Sequence, residues 1–142
     1  MLERLLLAAM LAAVAVVLAL VLQRRRPHAP TQPWGAVPAQ LDRQDFDRPE
    51  APWLLAVFTS ATCETCAGVW DKARVLASED LAVQELEAVR DRALHQRYGI
   101  DAVPLVVLAD AQGVVVAHLL GPVPAGQLWE TVERARRGES RP

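Results

Sequence analysis

Cysteine is scarce in this 142-residue chain: Cys63 and Cys66 are the only two, and the histidines number three, His28, His95 and His118. A structural zinc site takes four ligands, drawn mainly from cysteine and histidine. With no third cysteine, and with one histidine in a proline-rich stretch, one on an expected helix and one in an expected strand, no Cys/His pair stands at ligand spacing. No metal site is expected. A glycine-rich loop able to cradle a phosphate is also missing, as are internal repeats and low-complexity tracts. Nor is there an excess of positive charge. The chain has 17 acidic and 15 basic residues; setting aside Glu3, Arg4 and Arg24 to Arg26 leaves 16 against 11 over 27–142, a net of about −5. A remainder of that sign offers no nucleic-acid surface.

What the chain has in plenty is apolar sequence at its start. Leu5 to Leu22 reads LLLAAMLAAVAVVLALVL, eighteen residues without a charge or a strongly polar group. At 1.5 Å per residue such a helix spans roughly 27 Å, close to the hydrocarbon core of a bilayer. A cleaved signal peptide is the rival, but it calls for a shorter apolar stretch and a small-x-small cleavage site. Here the run ends in Leu-Val-Leu-Gln followed by Arg24, Arg25 and Arg26. The expected organisation is a short N-terminus (1–4), one transmembrane helix (5–22), a basic flank and proline-rich linker (23–40), and a domain over 41–142. Residues 5–26 are expected to contact membrane lipid, the arginines as a flank touching anionic headgroups. From Pro27 to Pro38 the sequence PHAPTQPWGAVP has four prolines in twelve residues, a stiff spacer. Trp34 within it suits an interfacial anchor or a loose linker residue equally.

Topology follows from the flanks. Positive residues close to a span are retained on the cytoplasmic side, whereas acids count for little. Arg24, Arg25, Arg26 and a partly protonated His28 outweigh Arg4 and the amino terminus, so the domain is expected in the cytoplasm, with an extracytoplasmic domain as the alternative.

Within the domain, LDRQDFDRPEAP is a clipped first element. Trp53 to Thr59 (WLLAVFT) is a continuous apolar run of strand length, the pattern of a strand buried on both faces. From Cys66 the apolar residues recur at 66, 69, 70, 73, 76 and 77, with Asp71, Lys72, Arg74, Ser78 and Glu79 between them, which predicts a helix with one buried stripe. Leu81 to Ala88 reads as a strand whose alternation breaks at Leu86. Arg90 to Tyr98 reads as a short helix closed by Gly99. Two β-rich runs around Asp110 to Gly113 predict a hairpin, and Pro124 to Arg137 a last helix with arginines at its negative end. The fold class is α/β, a sheet covered by helices on both faces.

A cysteine pair at this spacing is a redox dithiol, half of a zinc site, or two inert thiols. The zinc ligands are missing, and a buried strand leading into CxxC at a helix start argues against accident. Cys63 sits where free backbone N–H groups and the helix dipole favour an anion. Cys66 lies in register with Val69 and Ala73 on the buried stripe. The thiolate is the attacking species in disulfide exchange, so Cys63 is assigned as nucleophile and Cys66 as resolving thiol. Glu64, in the expected first turn, suits the helix dipole but repels a neighbouring thiolate, which is expected to make the disulfide more reducing.

Three stretches in order, WLLAVFTSATCETC, RYGIDAVP and LVVLADAQGVVVAHLLG before the last helix, resemble the thioredoxin-like family from about Trp53 to Arg136. The resemblance implies a central mixed sheet, attack by Cys63, resolution by Cys66, and a cis bond before Pro104. Such a bond would present the Val103 backbone for pairing with an extended substrate segment. It implies protein thiols and disulfides as substrates and no cofactor beyond the Cys63–Cys66 pair; with the domain in the cytoplasm, a thioredoxin-reductase-type system is the natural electron donor. Departures are plain. Thr62 stands where the family usually has tryptophan, Glu64-Thr65 replaces Gly-Pro, Val57 occupies the place of a buried aspartate, and Glu85 that of its lysine partner. Hence the expectation is a membrane-anchored thiol–disulfide oxidoreductase, reducing, oxidising or relaying. The alternative is a redox-inactive membrane adaptor binding a peptide at the Val103-Pro104 loop. Trp53, Trp70 and Trp129 are expected in core or rim packing, and His95 and His118 on the surface or a strand face.

Overall fold

Residues 37–138 are described throughout by the computed structural model, together with Met1, Met10 and 14–17. The chain divides into two units, Met1–Pro33 and Trp34–Pro142. In the first, Met10 and 14–17 are helical, and Met10, Val14, Val16 and Val17 are exposed. The rest of the span expected over 5–22, the arginine flank and the linker up to residue 36, with His28 and Trp34, lie outside the described residues. Among the described residues no helix is long and apolar enough to cross a membrane.

The second unit is built on a four-stranded mixed sheet in the order β2-β1-β3-β4. Strand β1 (Trp53–Thr59) pairs in parallel with β2 (Leu81–Glu87) and antiparallel with β3 (Leu105–Ala109), which pairs antiparallel with β4 (Val115–Leu120). Helix α1 (Cys66–Arg74) crosses from β1 to β2, α2 (Arg92–Arg97) joins β2 to the segment before β3, and α3 (Ala125–Arg136) ends the domain.

Burial explains these assignments. From Leu54 to Thr59 every residue of β1 is buried, because the strand is central and covered on both faces. One face carries Leu55, Val57, Leu81, Val106 and Leu108 beneath Val69 and Ala73 of α1 and Leu128 and Val132 of α3. The other carries Leu54, Ala56, Phe58, Ala82, Leu86 and Val107, with Leu94 of α2 and Tyr98, its C-cap, packed against it. Edge strand β4 instead alternates half-buried Val115 and Ala117 with exposed Val116 and His118.

The hairpin turn depends on one glycine. Gly113 adopts φ 80, and a Cβ there would lie 1.9 Å from the Leu41 carbonyl oxygen, so no side chain fits. Its carbonyl accepts from Leu41 N–H at 2.8 Å, which ties the entering segment to the hairpin. Asp110 completes the turn, accepting from the N–H groups of Gln112 and Val114, each at 2.9 Å. The clipped first element consists of a single bridge, Gln40 to Val114, and a 3₁₀ turn at Arg43–Asp45 capped by the Asp42 side chain.

Three expectations are corrected. The helix after Cys66 stops at Arg74 rather than continuing to Glu79. The bonds Leu76 N–H to Ala73 O and Ala77 N–H to Arg74 O tighten it into a last 3₁₀-like turn, and Ser78 N–H turns to Leu81 O. Register forces this, because Leu81 must sit opposite Trp53. Glu64 is not in the first helical turn: helix α1 begins at Cys66 with Thr65 as its N-cap, so Glu64 lies one residue before the cap and is exposed. His95 is not on the surface. It is 7 % exposed, because α2 rolls that side onto the sheet, edge-on to Phe58 with ring centroids 5.2 Å apart. His118 is exposed on β4, Trp53 and Trp70 pack half-buried at the rim, and Trp129 is 44 % exposed.

Candidate active site

The C-terminal end of β1 delivers the dithiol. After Thr59 the chain makes a tight turn in which Cys63 N–H donates to Ser60 O at 3.1 Å, and Cys66 then opens α1. Cys63 and Cys66 are joined as a disulfide with their Cα atoms 5.5 Å apart. The two sulfurs differ in surroundings. Cys66 is 2 % exposed on the stripe that continues through Val69 and Ala73, whereas Cys63 is half-buried among exposed Thr62, Glu64 and Thr65. Cys63 Sγ lies 3.8 Å from the Thr65 hydroxyl, the N-cap residue, which makes no cap bond of its own. Thr62 shares a side-chain hydrogen bond with Ser60 at 3.1 Å.

Pro104 is buried and Val103 half-buried, and the bond between them is cis, the geometry the resemblance implies. Pro104 O accepts from Gly121 N–H at 2.8 Å, which ties the loop to the end of β4. Leu105, next in the chain, pairs with Phe58, and Thr59 pairs with Glu87. Register therefore gathers the dithiol turn, the Val103-Pro104 loop and the end of β2 at one end of the sheet.

At that end Val57 is fully buried opposite Glu85, so the place where the resemblance puts a buried acid is apolar here. The nearest polar group along the strand is Thr59, whose hydroxyl donates to Glu85 Oε1 at 2.9 Å; Glu85 also lies 4.0 Å from Arg90. Glu87 accepts from the N–H of Ala61 at 3.1 Å and from those of Val89 and Arg90, each at 3.0 Å. These bonds, that of Arg90 foremost and then that of Ala61, hold its carboxyl below the usual carboxylate range against a smaller effect of desolvation. Arg90, paired with Asp91 at 2.8 Å, is pushed up, chiefly by that hydrogen bond. Sequence reasoning overlooked Glu87, Thr59, Thr65 and Arg90. The one signal available was the alternation of Glu85 and Glu87, which puts two carboxylates on one face at a strand's end.

His95 Nε2 lies 2.8 Å from Leu86 O; a carbonyl only accepts, so this nitrogen carries the proton and the ring serves packing. Among the described residues no three of His, Cys, Asp and Glu gather as a metal site.

Solved structures share this architecture. A mutant thioredoxin from Halobacterium salinarum is 25% identical, with a TM-score of 0.53 over 66% of this chain and 80% of that one. The fold is thioredoxin-like. A malarial protein, 13% identical, superimposes with a TM-score of 0.51 over 58% of this chain and 96% of its own. No family model and no curated relative matches the chain. A close cysteine pair on a thioredoxin-like fold is consistent with thiol–disulfide redox chemistry and suggests an oxidoreductase.

Proposed function

We propose that the chain is a thiol–disulfide oxidoreductase anchored to a membrane through residues 5–22, its redox centre the Cys63–Cys66 pair. The observation that carries the reading is the asymmetry of that pair: bonded sulfurs at a helix start, one reachable and one at 2 % exposure.

In the reducing direction Cys63, as thiolate, attacks one sulfur of a substrate disulfide. A mixed disulfide forms, and the first substrate sulfur leaves and takes up a proton. Cys66 gives up its proton and attacks Cys63 Sγ, which releases the second substrate thiol and closes the Cys63–Cys66 disulfide. Two electrons pass from the dithiol to the substrate. The short span between Cα atoms makes the second step intramolecular and fast. Val103, at the same end of the sheet, offers backbone for an extended substrate segment beside Pro104. Thr62 and Glu64, exposed on either side of Cys63, modulate partner choice and thiolate stability. No cofactor beyond the dithiol is invoked.

Support for the anchor is the eighteen-residue apolar run with its arginine flank, together with the exposed helical side chains of Met10, Val14, Val16 and Val17. The flanking charges favour a cytoplasmic domain reset by a thioredoxin-reductase-type donor. Two experiments test the reading. The full chain in detergent should reduce insulin disulfides with dithiothreitol, and Cys66→Ser should trap substrates as mixed disulfides on Cys63. Absence of turnover with any dithiol would favour an adaptor that binds through the Val103-Pro104 loop. A membrane-impermeant maleimide should label Cys63 only in permeabilised cells; labelling of intact cells would put the domain outside.

A further inference from the structure

Glu87 closes β2 opposite Thr59, and its carboxylate bridges two loops. Oε1 takes the N–H of Ala61, two residues before Cys63, while Oε2 takes those of Val89 and Arg90 in the turn that leads to α2. Both loops are tied again, by Ala88 N–H to Thr59 O at 2.9 Å and by Glu87 N–H to Asp91 Oδ2 at 2.8 Å. Three donors spread over two oxygens require both oxygens to accept. An ionised carboxylate does this best: an amide nitrogen cannot accept at all, and the hydroxyl oxygen of a carboxylic acid accepts only weakly. The bond to Ala61 N–H is followed at once by the Cys63 N–H to Ser60 O bond that shapes the turn, so the position of Cys63 relative to Cys66 depends on where Ala61 is held.

We propose that Glu87 is a positioning residue of the dithiol: its carboxylate holds the turn from Ser60 to Cys63 where ring closure with Cys66 is favoured, and thereby sets the balance between dithiol and disulfide. This rests on the redox reading above. A looser turn lowers the effective concentration of one thiol at the other, which shifts the balance toward the dithiol and makes the protein a stronger oxidant. Removing a negative charge from this end of the sheet acts on a thiolate in the same direction. The two causes separate in salt, because a charge at the half-buried surface is screened and a lost hydrogen bond is not.

The test is the equilibrium with glutathione, in which the protein dithiol and oxidised glutathione give the protein disulfide and two glutathione thiols. The full-length chain in detergent is followed by alkylation and mass spectrometry. Glu87→Gln should lower the constant for disulfide formation about five-fold, the size expected for one backbone hydrogen bond, and equally in 0.5 M sodium chloride. Glu85→Gln removes the same charge but leaves the backbone of the turn untouched, and should change it less than about two-fold. An unchanged constant in Glu87→Gln, a change that vanishes in salt, or an equal change in Glu85→Gln overturns the proposal. If the amide variant does not fold by circular dichroism, Glu87→Asp, with both oxygens on a shorter stem, should shift the constant the same way; no shift overturns it. A wild-type chain that does not exchange with glutathione ends the redox reading as well. Normal exchange with an unaltered variant ends this inference alone.

Discussion

The two ends of β1 are held by opposite charges used in mirror-image fashion. At the N-terminal end the Arg43 guanidinium, 6 % exposed, donates to three backbone carbonyls, those of Asp110 at 2.8 Å, Arg48 at 3.3 Å and Ala51 at 2.9 Å. At the C-terminal end the Glu87 carboxylate accepts from three backbone N–H groups. The cation is buried, keeps Nε without a hydrogen-bond partner, and has its pKa pushed down by burial while remaining charged throughout the working range. The anion is half-buried and titrates. One end is a permanent clamp on the entering chain, and the other is an adjustable tether beside the dithiol. The difference shows how a fold can hold both ends of one strand through charge and let pH act on only one of them.

The largest effect should separate chemistry from clamping. Cys63→Ser is expected to reduce insulin turnover to background with no loss of folding, whereas Arg43→Met should retain dithiol reactivity at temperatures where it is folded. Arg43→Met strands three carbonyls in a buried place and should cost about 3 kcal/mol in a urea titration. Full stability in that variant would show that water replaces the clamp.

Next comes acid, which acts on one end alone. Because Glu87 is held below its unfolded value, its contribution is complete above about pH 4.3 and is lost as pH falls through the depressed folded value. Urea midpoints of wild type and Glu87→Gln should therefore differ at pH 6, and the difference should shrink as pH falls below about 4. Parallel curves would mean that the tether does not titrate with folding.

A smaller effect is expected at the segment that carries Arg43. The Tyr98 hydroxyl accepts from Asp42 N–H at 3.0 Å and donates to Asp45, and burial with that second bond raises its pKa. Tyr98→Phe should cost about 1 kcal/mol by the same titration. The smallest effect sharpens the contrast with an arginine of the other kind. Arg74, ion-paired to Asp71 at 2.9 Å on the exposed face of α1, should tolerate Arg74→Ala at a cost below about 0.5 kcal/mol.

The sequence by itself determined what depends on neighbours along the chain. Six consecutive apolar residues and a closing threonine made β1, the 3.6-residue spacing of Cys66, Val69 and Ala73 put one sulfur under the helix and left the other outside, and Gly113 marked the hairpin turn. The order of three short motifs was enough to suggest the thioredoxin-like sheet. Tertiary structure alone decided whatever depends on partners far away. Helix α1 ends at Arg74 because β2 must begin opposite Trp53, and His95 is buried because α2 settles on Phe58. Arg43 finds Asp110 across 67 residues, and Glu87 finds Ala61 across 26. A charged residue in a sequence looks solvated until the fold supplies its partners: hydrogen bonds are directional and short, and which backbone groups come within 3 Å is set by sheet register rather than by any local pattern.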